Sequence, residues 1–372
     1  MTVEQSWHPV PGGTAWAVLE LLRALKARSD VDVVGVAARH RHPAPEPWQP
    51  PVEVRHLPFP RRLLYETWHL PVARFPKVER ATGSVDVVHA TAFAYPASVA
   101  PVVVTINDLA FLDDPRLSTR HGLRFFRRGT ELARAHARLV VCPSEATRRD
   151  CLEFGFDEAR LRVVPWAVRP APPVSAEQVE SVRSRHGLRR PYVLFVGTIE
   201  PRKNLPALLR AFADLTDLDV DLVLVGPSGW NEDLAPAAAR LGERCKQLGF
   251  VSRGDLEVLM AGAAAFCYPS LREGFGLPVL EAMAHGTPVV TSRGTSTEEV
   301  AGDAAVLVDP FDPASIGEGL RRVLTDGELA AGLRVAGVAR AAELSWERTA
   351  DGYVQIYKEA ATRSPTTAVR PL

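Results

Sequence analysis

The sequence predicts an α/β protein built from two doubly wound domains, each a parallel sheet covered by helices. Three observations predict it. The chain has 372 residues, too many for one ordinary core and a natural length for two. Short β-branched runs alternate with longer stretches of helical spacing, the pattern of βαβ units. The series also opens twice, on either side of a segment rich in Pro and charge.

In chain order, a very short first strand is expected at residues 2–7, short enough that the natural start is expected upstream. Gly12–Gly13 then turns into a helix over 15–27, with Thr14 as its expected cap. Strands follow at 31–36, 86–89, 102–105, 139–142 and 162–164, with a helix over 122–137. The segment RPAPPVSAEQVESVRSRHGLRRP (169–191) has no strand of its own and reads as a linker. Strands resume at 192–196, 221–225, 265–268, 288–291 and 305–308. A last helix, 346–361, carries Trp346, Tyr353 and Tyr357 as apolar anchors. The expected division is a first domain over 1–168, a linker over 169–190, a second domain over 191–345, the last helix over 346–361 and a disordered tail over 362–372. Two such sheets facing each other would put both carboxyl edges on one cleft, so site residues should lie just after strands.

Composition narrows the function. Lys+Arg and Asp+Glu both number 44, which gives no electrostatic case for nucleic acid. Residues 1–185 nevertheless carry 25 basic and 20 acidic side chains, and the remainder 19 and 24. The basic excess sits in Arg116, Arg120, Arg124, Arg127, Arg128, Arg134 and Arg138, interleaved with Leu123, Phe125, Phe126 and Leu132. That is a solvated helix face over a core stripe or, in a sharper reading, a basic surface for anionic lipid or an anionic acceptor. Cys142, Cys151, Cys245 and Cys267 are scattered without metal-ligand spacing, and no apolar run approaches about 18 residues. A cytoplasmic protein is expected, in peripheral contact with the inner face of the membrane at most.

The richest segment is SLREGFGLPVLEAMAHGTPVVTS, 270–292. Two Glu eight apart arise by chance in most chains of this length, so the filling matters. Gly274 and Gly276 break a helix, Pro278 suits a helix start, and Gly286 and Pro288 end it. Glu273 is then on a Gly-rich loop and Glu281 just inside a helix, with the N–H groups of the turn between them: a phosphate cradle flanked by carboxylates, or equally a tight turn with surface acids. In FVGTIEPRKNLPALLRAF (195–212), Arg202 and Lys203 follow a strand on a short loop and can both reach a diphosphate. Alone, this would read as a solvated loop. Gly12–Gly13 lacks the full dinucleotide fingerprint and alone reads as a plain turn.

Together these segments resemble the family 4 retaining glycosyltransferases. The resemblance spans roughly residues 1–361, through EGFGLPVLE (273–281), GTIEPRKN (197–204) and the Gly12–Gly13 pair. It implies the GT-B fold: two Rossmann-like domains facing across a cleft, the C-terminal helix packing back on the first. It implies a nucleoside diphosphate sugar as donor, with no metal or other cofactor, and a carbohydrate, lipid-linked or natural-product acceptor met by the first domain. Carried onto this sequence, Glu281 would hold the ribose hydroxyls and Glu273 the transferred sugar. Arg202 and Lys203 would take the diphosphate, helped by Thr198. Gly274, Phe275, Gly276 and Leu277 would touch phosphate or sugar, Val251 would lie by the base, and Gly12 and Gly13 would approach the donor. The His-Asp dipeptide usual after a strand of the first domain stands here as Asn107–Asp108; Asn can donate but cannot carry a proton charge. Ala15 and VPWAVRP (164–170) also depart from the family pattern. The expected reaction is hexosyl transfer with retention, mannosyl from GDP-mannose being preferred. A nucleotide-sugar 2-epimerase, with His89 or His285 moving protons, and a catalytically weak donor-binding homologue are the alternatives.

Overall fold

A computed structural model describes residues 1–8, 11–113, 120–229 and 234–362. The chain divides into two compact units, one of Met1–Trp166 with the C-terminal segment from Trp346, the other of Ala167–Ser345. The expected linker 169–190 carries helix Ala176–Arg185, closed by a capping box between Ser175 and Gln178, and falls within the second unit. The last helix is Trp346–Thr362; the rest of the tail and Arg116 lie outside the described residues.

In the first unit, β1 (Gly35–Ala37) pairs in parallel with β2 (Val54–His56). The strands β3 (Val88–Ala90), β4 (Val102–Thr105), β5 (Leu139–Cys142) and β6 (Leu161–Val163) form a parallel sheet in sequence order. The expected strand over 2–7 is corrected. Only Thr2 bridges Val36, and Glu4–Trp7 turns into a 3-10 helix. The reason is local: the buried Glu4 carboxylate accepts from the Ala38 amide at 2.8 Å and pairs with His40 Nε2 at 2.9 Å, which bends the chain over the end of β1. Sequence reading also missed β2 and placed β1 four residues early.

Helix Trp346–Thr362 packs on this unit because Trp346, Thr349, Ala350, Tyr353, Val354, Ile356 and Ala360 recur at helical spacing and are buried. It is pinned by polar contacts. Thr349 Oγ1 donates to the Pro165 carbonyl, Tyr353 and Thr105 hydroxyls lie 3.0 Å apart, and Tyr357 meets His89 Nδ1 at 2.8 Å. Arg162 grips Glu359 with two guanidinium nitrogens, at 2.5 and 3.1 Å.

The second unit is a six-stranded, wholly parallel sheet of β7 (Tyr192–Val196), β8 (Asp221–Val225), β9 (Cys245–Gly249), β10 (Ala265–Tyr268), β11 (Val289–Ser292) and β12 (Ala305–Val308). Its spatial order, β9-β8-β7-β10-β11-β12, is that of a doubly wound nucleotide-binding domain, whose order reverses between β7 and β10. The four central strands are buried along their length apart from Val196 at the tip of β7, as strands covered on both faces must be. Edge strand β9 reads CKQLG, with no β-branched residue, and so escaped the sequence reading.

Candidate functional site

The reversal point decides where the polar residues meet. The chain leaving β7 and the chain leaving β10 emerge side by side at the carboxyl edge, the position where open α/β sheets bind ligands. The first carries Arg202 and Lys203, the second Glu273. Pro201–Lys203 forms one 3-10 turn. Asn204 ends it in the left-handed conformation, φ 60°, and its amide donates to the carbonyls of Pro269 (3.1 Å) and Pro310 (2.6 Å). The Leu271 amide returns a bond to the Arg202 carbonyl at 2.8 Å, so the two loops are stitched together.

Within this frame Arg202 Nη1 lies 2.6 Å from Glu273 Oε2, and Lys203 Nζ 2.5 Å from Oε1. Arg202 Nε also pairs with Glu200 at 2.8 Å, and Lys203 Nζ donates to the Tyr268 hydroxyl at 2.5 Å. Lys203 is only 6% exposed, so it is no solvated loop residue. Burial pushes the Glu273 carboxyl up, but Arg202 and then Lys203 outweigh it and hold it at about 2. Burial and the neighbouring Arg202 charge pull the Lys203 ammonium below its ordinary value. Four ionic groups of balanced sign thus meet at one spot, with Lys203, Glu200 and Glu273 nearly buried and Arg202 partly exposed.

Beyond Glu273, Gly274, Phe275, Gly276 and Leu277 are all buried. Gly276 takes φ 112° just before helix Leu277–Ala284, and a Cβ there would stand 2.9 Å from Thr297. Pro278 occupies the second helical position. Glu281 lies in the second turn and pairs with Arg253 at 2.7 Å, which also reaches Glu257 at 2.9 Å. Val251 follows β9, immediately before Ser252, the cap of helix Arg253–Gly262. The ends of β7, β8 and β9 enclose a cavity of about 200 Å³ lined by Gly197, Ile199, Gly226, Ser228, Gln247 and Gly249 among others. Thr198 lies between two of these lining residues in sequence. The close approach is glycine-dependent: a Cβ on Gly226 would stand 2.1 Å from the Gly197 carbonyl oxygen.

Gly12, Gly13 and Asn107 belong to the first unit. Gly12 is the cap of helix Gly13–Lys26, with no side-chain capping bond, so the expected cap Thr14 is corrected to a residue inside the first turn. Asn107 follows β4; its Nδ2 reaches the Thr91 carbonyl at 3.4 Å, while its buried Oδ1 has no donor among the described residues. Glu200, Tyr268, Asn204 and Arg253 were missed as site residues. Glu200 and Asn204 lay inside a segment already singled out and Arg253 two residues beyond Val251, whereas Tyr268 reads only as the end of a buried strand. Among the described residues no cluster of three His, Cys, Asp or Glu is placed to hold a metal ion, and no helix is long and apolar enough to cross a membrane.

Comparison with known proteins identifies the family and the fold. A family model described as "Glycosyl transferases group 1" matches residues 178–338, and one described as "Glycosyltransferase Family 4" matches 11–172. An O-antigen chain mannosyltransferase B of Escherichia coli is 32% identical over 279 residues, 73% of either chain. The chain belongs to this glycosyltransferase family. A D-inositol 3-phosphate glycosyltransferase of Acidothermus cellulolyticus is 30% identical over 97% of this glycosyltransferase and 88% of its own length. Among solved structures, a sucrose-phosphate synthase from Thermosynechococcus elongatus superposes with TM-score 0.75 over 96% of this chain and 97% of its own, at 22% identity. The Anabaena protein HepE in complex with UDP and glucose gives 0.72 at 19% identity, over 95% and 98%. These likenesses establish the GT-B fold class, with parallel sheets in two Rossmann-like domains.

Proposed function

We propose that this glycosyltransferase moves a hexosyl group from a nucleoside diphosphate sugar to a carbohydrate-type acceptor with retention of configuration, mannosyl from GDP-mannose being the favoured donor. One observation carries the reading: two cations from one loop and a carboxylate from the next converge at the reversal point of the sheet. Arg202 and Lys203 take the charge of the departing diphosphate, the largest contribution to lowering the barrier. Glu273 faces hydroxyls of the transferred sugar and Glu281 those of the ribose. Cationic side chains perform the task a divalent ion performs elsewhere, so transfer proceeds in a chelator. The mannosyl preference is supported by the Escherichia coli relative, whose own name is that of a mannosyltransferase. On the first unit, Arg124, Arg127 and Arg134 are exposed on one face of helix Arg120–His136 and suit an anionic acceptor or lipid surface.

The epimerase reading finds no support. His89 is buried with both ring nitrogens engaged, one by Tyr357 and the other by Thr105, and burial pushes it down to about 3, so neither nitrogen is open to a sugar. A screen of nucleoside diphosphate sugars against candidate glycan acceptors, with mass detection and chelator present, tests the proposal. Transfer of a hexose with release of nucleoside diphosphate is expected. Epimerised donor without transfer would refute it.

A further inference from the structure

The two cations assigned to the diphosphate already have a full set of anionic partners. Glu273 bridges them, one carboxylate oxygen on each, at 2.6 and 2.5 Å. Glu200 pairs with Arg202 as well. A diphosphate entering this spot brings at least two further negative charges into a buried cluster of balanced sign, which is costly unless a carboxylate gives way. Glu273 is the one that can. Its backbone is held in place, since Ser296 Oγ donates to its carbonyl at 2.7 Å, so side-chain rotation is all that is needed. When it swings away, Lys203 keeps the Tyr268 hydroxyl and Arg202 keeps Glu200.

Resting on the reading of Arg202 and Lys203 as the diphosphate site, we propose that Glu273 discriminates intact donor from spent product. With a sugar attached, the displaced carboxylate finds hydroxyl donors. With the sugar gone it has none, and it competes with the nucleoside diphosphate for the same two cations. The residue that helps to hold the sugar thereby drives product release. This role is opposite in sign to that of an ordinary binding residue, for which removal weakens every ligand.

The test is calorimetric titration of GDP and UDP, and of their hexose conjugates, into wild type, Glu273→Gln and Arg202→Ala, with product-inhibition constants measured alongside. Glu273→Gln is expected to bind the nucleoside diphosphate about tenfold tighter while the sugar conjugate gains nothing or weakens. Unchanged or weaker diphosphate binding by Glu273→Gln overturns the proposal. Equal diphosphate binding by wild type and Arg202→Ala would instead refute the underlying diphosphate assignment. If Glu273→Gln does not fold, Glu273→Asp, whose shorter arm cannot span both cations, should show about threefold tightening, and weakening there also overturns the proposal.

Discussion

Lys203 offers the sharpest test of whether the ionic cluster acts as one unit. Its ammonium is buried, donates to Glu273 and to Tyr268 at 2.5 Å each, and stands 5.0 Å from the centre of the Tyr268 ring. Lys203→Met keeps the apolar stem but leaves one Glu273 oxygen and the Tyr268 oxygen without their donor. Breaking a buried pair costs about 3–5 kcal/mol. Arg202 still neutralises the carboxylate, so the lower end, about 3 kcal/mol, is expected. Glu273→Gln alone strands less, because the amide oxygen can still accept from Lys203, and should cost about 1–3 kcal/mol. In the double variant the second change removes a group that has already lost its partner. The double should therefore fall short of the sum by about 1–3 kcal/mol. Urea unfolding of the four proteins measures this cycle. Additivity within about 0.5 kcal/mol would refute the cluster, and Lys203→Met with wild-type stability would refute burial of the charge. Loss of Lys203 should thus affect folding, unlike loss of a solvated loop residue.

Three further outcomes are expected. Glu281→Gln should weaken donor binding by about 1.5–3 kcal/mol with little change in melting, since Arg253 keeps Glu257; equal donor affinity by calorimetry would remove Glu281 from the ribose. His89 is depressed to about 3 in the folded protein against an ordinary 6.5, so the stability it contributes is complete above pH 6.5 and is lost as pH falls towards 3. Lowering the pH from 7 to 5 should therefore cost about 2 kcal/mol through this residue, a loss that His89→Asn should not show when unfolding is compared at the two pH values. Asn107→His should change the rate by no more than about tenfold, about 1.4 kcal/mol on the barrier, because amide and neutral imidazole each donate one bond; a new limb near pH 6.5 in the pH–rate profile with a hundredfold change would show that a proton-carrying group matters there.

The sequence by itself determined the class of fold and singled out the segments from which the candidate site is built. Strands over 192–196, 221–225 and 265–268 were legible because buried parallel strands are apolar on both faces and need no partner to be recognised. The helix over Leu277–Ala284 was legible because Gly276 and Pro278 act locally on the backbone. Elements whose conformation depends on remote partners were not. Glu4–Trp7 turns away from a strand because of Ala38 and His40, and β9 exists because β8 offers it an edge. Side-chain pairing across loops was equally beyond reach. Nothing in GTIEPRKN or EGFGLPVLE says that Lys203 is buried, that Glu273 spans both cations, or that Glu281 answers to Arg253. Those facts depend on the order of strands, which brings residues some 70 positions apart within 2.6 Å. Local propensity is written along the chain, whereas charge neutralisation is set by what the fold places next to it.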